Sequence, residues 1–124
     1  MAEGFAKSHL KEYLVSSGGT HPEKVNPYAI KVMSNIGIDI SNHISKKINK
    51  DQFESFSLVI TLCGDAKDKC PVISNSKHIH WNIEDPAKYQ GNNEELILKY
   101  SKIRDIIINN IKLLKITLDE NKRT

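Results

Sequence analysis

Arginine is scarce in this chain: of 18 basic residues only Arg104 and Arg123 are arginines. Nucleic-acid binders concentrate arginine and lysine with aromatic residues on one face. Aromatics are only 6% of this chain and form no such stripe, so no nucleic-acid partner is expected. With 15 acidic residues the net charge is +3, too mild to imply a polyanionic partner. Long apolar runs are also lacking. A membrane-spanning helix needs about 20 apolar residues and a secretory leader needs its own apolar core, so the expectation is a cytoplasmic protein with no membrane partner. Cysteine is limited to Cys63 and Cys70, which do not form a C-x-x-C. A structural disulfide is not expected of a cytosolic chain. The five histidines show no H-x-x-x-H spacing, so neither a metal site nor a bound cofactor is expected. His78 and His80 alternate with Ile79 and share one strand face, whereas His9, His21 and His43 are scattered. Repeats, low-complexity stretches and linkers are absent too. What remains is 124 residues, 39% of them apolar, which suits one domain over 1–124.

The periodicities present give the elements. Ala2, Ala6, Leu10 and Tyr13 or Leu14 repeat at helical spacing, predicting a helix over Ala2–Leu14. Val15–Ser17 is a short strand candidate closed by Gly18 and Gly19. Asn26-Pro27 pairs an N-cap residue with proline at the first helical position, which starts a helix running to about Ile36 and stopping at Gly37. Asp39–His43 reads as a turn and Asn49–Phe56 as a short helix. Leu58–Leu62 is the best strand, apolar enough to be buried on both faces, and His78–Asn82 is a further strand, with Ile79 and Trp81 on one face. Asp85-Pro86 is a turn. The last helix, about Glu94–Leu118, carries Leu96, Tyr100, Ile103, Ile107, Ile111, Leu114 and Leu118 on one stripe. The order helix, strand, helix, strand, strand, helix predicts an α/β fold, a parallel sheet with helices on both faces. In such sheets the chemistry lies beyond the carboxyl ends of the strands.

Two segments at those ends could carry chemistry. Cys63 follows the best strand, with Lys67 and Lys69 near enough in sequence to favour a thiolate. Cys70 is separated from it by a polar stretch containing Gly64, which can bend to bring the two Cα atoms within the roughly 7 Å a disulfide needs. The alternative is a pair of inert buried thiols, free cysteine being among the most buried residue types. Asp85 precedes a proline and is held extended. It can project a carboxylate into a site as a general acid, or simply close an Asx turn after a strand. The Ser16-Ser17-Gly18-Gly19 stretch lacks the pattern of a phosphate loop.

Met1-Ala2-Glu3-Gly4-Phe5, Ser16-Ser17-Gly18, Val25 through Ile30, Gly37 through His43, the Cys63–Cys70 segment and His80-Trp81 through Asp85-Pro86-Ala87 run collinearly over almost the whole chain. Together they resemble the thioredoxin-coupled arsenate reductases, a family with the low-molecular-weight protein tyrosine phosphatase fold. The resemblance implies reduction of arsenate to arsenite by three cysteines. A first cysteine, in a C-x5-R loop that cradles the oxyanion, attacks arsenic. A second attacks the first and releases arsenite. A third resolves the resulting disulfide, and thioredoxin, the external reductant, restores the thiols. By resemblance Cys63 is the second cysteine, Cys70 the third, and Asp85 the general acid.

The sequence departs from that family in one respect. Six residues after Cys63 and Cys70 stand Lys69 and Ser76, not arginine, and the family's loop precedes the stretch that opens this chain. The expectation is therefore a domain without the first strand, the anion loop and the first nucleophile, able to engage arsenate only with that loop and inactive alone. It would also be marginally stable, because unpaired buried backbone groups cost about 1–3 kcal/mol each against a domain stability of about 5–15 kcal/mol. Two other readings remain: a non-catalytic redox switch or binding module using only Cys63 and Cys70, and a low-molecular-weight tyrosine phosphatase relative, which leaves the cysteine pair unexplained.

Overall fold

The computed structural model describes residues 1–18, 24–43, 46–47, 51, 55–62 and 77–123. Its elements in chain order are α1 (Ala2–His9), α2 (Pro27–Ser34), β1 (Leu58–Thr61), β2 (Lys77–His80), a 3-10 turn (Pro86–Lys88) and α3 (Asn93–Arg123).

Local chemistry sets the ends of each helix. The Asn26 side chain accepts from Tyr28 N–H at 2.8 Å and Pro27 follows at the first helical position, so α2 starts where the Asn-Pro pair predicts. At its far end Gly37 takes φ +81°. Ile38 N–H reaches Met33 O at 3.0 Å and Gly37 N–H reaches Ser34 O at 2.9 Å, the hydrogen bonds of a Schellman motif, which needs a residue in the left-handed region. Asp39 accepts from Ser41 N–H at 2.9 Å, closing the predicted turn. Asn92 caps α3, its side chain accepting from Glu95 N–H at 2.8 Å, with Glu94 and Glu95 in the first turn opposite the positive end of the helix dipole.

The core is organised around α3. Ile103, Ile107 and Ile111 pack with Leu10 of the α1 terminus and Ile83 of the loop after β2. One turn earlier Tyr100 packs with Ala29, Val32 and Met33 of α2 and with Ile40. Phe5 of α1 touches both groups, so α1 and α2 lie side by side on one long helix. The predicted stripe is the face used: Tyr100, Ile103, Ile107 and Ile111 are buried. Arg104 adds a polar link, donating to Val32 O at 2.8 Å in the last turn of α2, where carbonyls lack helical partners. Glu3 does the same for α1, accepting from Ser17 at 2.7 Å and pairing with Lys7 at 3.2 Å and His43 at 3.6 Å.

β1 and β2 pair in parallel, Leu58 opposite Lys77 and Thr61 opposite His80, as the parallel-sheet prediction requires. Several boundaries differ from the sequence reading. α1 ends at His9, five residues short of Leu14, and Leu14 is 86% exposed: its side chain finds no apolar surface to sustain the helix. Val15–Ser17 is not a strand, because no described strand runs beside it and the Ser17 hydroxyl is engaged by Glu3. β2 covers Lys77–His80 instead of His78–Asn82, although Trp81 N–H still reaches Thr61 O at 2.9 Å. α3 continues to Arg123, past the apolar stripe. The predicted helix Asn49–Phe56 lies mostly outside the described residues.

Gly4 marks the tightest approach. A Cβ there would stand 2.6 Å from the Ile40 Cγ2 methyl, and Ile40 is 1% exposed, so the methyl has nowhere to go. Overpacking of this kind costs about 1–3 kcal/mol, more than alanine's helix-propensity advantage of up to about 1 kcal/mol over glycine. Gly4→Ala is expected to lower the urea midpoint; a midpoint equal to or above that of the parent would contradict the packing.

Candidate functional site

Parallel pairing places the carboxyl ends of β1 and β2 at one edge of the sheet. Val59 and Thr61 share a face of β1 and are both buried. The Thr61 hydroxyl meets His78 Nε2 at 3.0 Å and His80 Nδ1 at 2.6 Å. The prediction that His78 and His80 share a face is thus met, and the structure adds the hydroxyl between them. Cys63 follows two residues beyond Thr61 in the sequence. Cys63 and Cys70 themselves lie outside the described residues.

From β2 the chain runs through Ile83, which anchors the loop in the core, to Asp85. Asp85 is extended, φ −78° and ψ 112°, the geometry a following proline imposes. It is exposed, and its Oδ1 accepts from Ala87 N–H at 3.0 Å, which is the Asx turn. The carboxylate's second oxygen has no part in that bond, so the turn fixes the group's direction without consuming it.

Two neighbouring clusters hold this loop against α3. The Glu84 carboxylate accepts from the Tyr89 hydroxyl and pairs with Lys99 Nζ at 3.6 Å, while that ammonium lies 4.0 Å from the Tyr89 ring centroid, within cation–π range. The Tyr89 hydroxyl and then Lys99 hold the Glu84 carboxyl below the usual carboxylate range. On the inner side, Tyr100 is 3% exposed and stacks on Tyr28 with centroids 5.6 Å apart. Burial, and after it the Asp85 carboxylate, raise the Tyr100 phenol above its ordinary value, against a hydrogen bond with the Asn26 side chain. Tyr100 is one of the apolar stripe in the sequence, and its second role beside Asp85 is visible only in three dimensions. Tyr28 in turn donates to Asn93 Oδ1 at 2.5 Å. The residue that caps α2, the start of α3 and the loop bearing Asp85 therefore meet at one place.

Among the described residues no group of three or more His, Cys, Asp or Glu side chains could hold a metal, and no helix is long and apolar enough to cross a membrane. A surface pocket of about 240 Å³ lies elsewhere, between the end of α1 and Lys115 and Asp119 of α3.

The model of the low molecular weight phosphotyrosine protein phosphatase family matches residues 1–124. The chain belongs to that family. Among its curated relatives, an arsenate reductase of Bacillus subtilis is 46% identical over 114 residues, covering 90% of this chain and 82% of the relative. One from Oceanobacillus iheyensis is 46% identical over 115 residues, covering 91% and 83%. Among solved structures, an arsenate reductase in the phosphate binding state superposes with a TM-score of 0.72 at 29% identity, covering 91% of this chain and 83% of that one. An arsenate reductase in reduced state gives 0.71 at 27% identity, covering 94% and 86%. The resemblance read from the motifs, with its phosphatase-like parallel sheet and helices, is therefore borne out.

The Tyr100 environment carries a pH dependence. Its folded pKa is raised, so the unfolded chain loses this proton first as pH climbs past about 10. The contribution is fully present below pH 10 and lost as pH rises through the folded value. Thermal melts from pH 8 to 11 are expected to show an alkaline loss of stability that is smaller in Tyr100→Phe; identical pH profiles for the two proteins would contradict the assignment.

Proposed function

We propose that this chain takes part in the reduction of arsenate to arsenite, supplying the two-cysteine relay and the general acid of a thiol/disulfide cascade. The observation that carries the reading is the collinear 46% identity to arsenate reductases over 90% of the chain. Geometry supports it: the strand that leads into Cys63 and the strand that leads to Asp85 end at the same sheet edge. Arsenic falls from the +5 to the +3 state by taking two electrons, and two thiols closing to one disulfide supply them. In the proposed sequence a first thiol, neither Cys63 nor Cys70, carries arsenic. Cys63 attacks that sulfur, and the S–As bond breaks with its electron pair going to arsenic so that arsenite leaves. Cys70 then attacks Cys63 of the mixed disulfide, forming the Cys63–Cys70 disulfide and releasing the first thiolate. Asp85, aimed by its Asx turn, gives a proton to the departing oxygen. An external dithiol reduces the final disulfide, and thioredoxin is the proposed donor. A Corynebacterium glutamicum thioredoxin-dependent arsenate reductase shares the fold, with a TM-score of 0.57 at 22% identity.

A second, narrower reading uses the Cys63–Cys70 pair alone, neither cysteine being followed six residues on by an arginine. The chain would then act as a thioredoxin-linked redox module.

Two measurements separate the parts. Mild oxidant is expected to form an intramolecular Cys63–Cys70 disulfide, seen by mass spectrometry and reversed by thioredoxin with its reductase and NADPH. Both thiols remaining free after oxidation would sink the relay. With arsenate and the same reducing system, this chain alone is expected to release arsenite only at background rate, because the first thiol and the anion cradle are not in its sequence. Release well above background would show that Cys63 or Cys70 serves as the first nucleophile.

A further inference from the structure

His78 and His80 are both exposed and stand on one face of β2, two residues apart. Their ring nitrogens converge on a single point: Thr61 Oγ1 lies 3.0 Å from His78 Nε2 and 2.6 Å from His80 Nδ1. One hydroxyl carries one proton. With both rings neutral it can donate to one imidazole and must accept N–H from the other, so the pair is held in complementary tautomers. A metal ion imposes no such asymmetry. It takes a lone pair from each ring, and it binds neutral imidazole at about 2.0–2.1 Å for zinc. Strand geometry supplies the rest, since alternate residues project to the same side, and the backbone of β2 is fixed by its pairing with β1. Exposure leaves the remaining coordination positions open to water.

We propose that His78 and His80, with the Thr61 hydroxyl beside them, form a surface site for a borderline divalent transition metal, of the class that prefers imidazole ligands (copper, nickel or zinc) over hard oxygen-seeking cations. His78 coordinates through Nε2 and His80 through Nδ1, each turning its lone pair inward. The Thr61 oxygen stays within reach as a third donor or as the hydrogen-bond partner of a metal-bound water. The site is independent of the arsenate reading and uses neither cysteine.

Trp81, the single tryptophan, adjoins His80 and provides a native probe. The experiment uses the full chain with Cys63 and Cys70 replaced by serine, and in parallel the wild-type chain with both thiols alkylated, so that thiolate binding is removed in two ways. Far-UV circular dichroism checks each background for folding. Copper(II) chloride is titrated while Trp81 fluorescence is followed, and the spin resonance spectrum of the bound copper is recorded. The expected result is saturable quenching at one copper per chain, nitrogen hyperfine structure from imidazole, no response to magnesium, and a midpoint at least tenfold higher in His78→Gln and in His80→Gln. His9→Gln and His43→Gln are expected to leave the midpoint unchanged. Quenching that fails to saturate by millimolar copper, or a midpoint unmoved by His78→Gln and His80→Gln, overturns the proposal.

Discussion

The described helices and the loop that bears Asp85 hang on the apolar stripe of α3. Tyr100, Ile103, Ile107 and Ile111 are each 5% exposed or less, and both hydrophobic clusters are built on them. A fully buried side chain of this size contributes about 1.5–3 kcal/mol, which no polar contact on the surface matches. α1 and α2 are short, at 8 residues each, and isolated helices of that length do not persist in water. They hold their shape because α3 gives them an apolar surface to lie on, with Arg104 and the Gly4 approach fixing how closely they lie.

The same helix positions the chemistry. Ile83 is drawn into the α3 core, and two residues later the chain presents Asp85 with its direction set by a turn. Glu84, Tyr89 and Lys99 pin the outside of that loop, and Tyr100 backs it from the inside. A carboxyl group proposed to give up a proton at a defined place benefits from such fixing, because misplacement by an ångström is costly in a reaction that depends on orientation. The polar residues at this edge are thus arranged by an apolar constraint some distance from them.

Family membership fits this division of labour. The relatives are arsenate reductases, some solved in the phosphate binding state and some in reduced or oxidized state. The fold is shared with phosphotyrosine phosphatases, so the fold alone does not select the chemistry. In the proposed relay that selection falls to the cysteine pair, since two thiols can release two electrons and a phosphatase needs none.

Sequence signals alone mark the helix starts at Asn26-Pro27 and near Glu94, the stop at Gly37, the buried face of α3, the parallel pairing, and the family. Those depend on local rules: a cap, a proline, a glycine forced to positive φ, a 3.6-residue repeat, a row of apolar residues in a strand. Tertiary structure alone decided the rest. Val15–Ser17 has strand composition and is no strand, because a strand exists only through its neighbour. α1 stops at His9 because Leu14 meets no surface. Tyr100 reads as one more apolar position, yet its hydroxyl bonds with the Asn26 side chain and feels the charge of Asp85. Likewise, His78 and His80 are visible as a pair in the sequence, but Thr61, seventeen residues upstream of His78, is brought between them only by the register of two parallel strands. Contacts between residues distant in sequence are set by packing, and no local pattern encodes them.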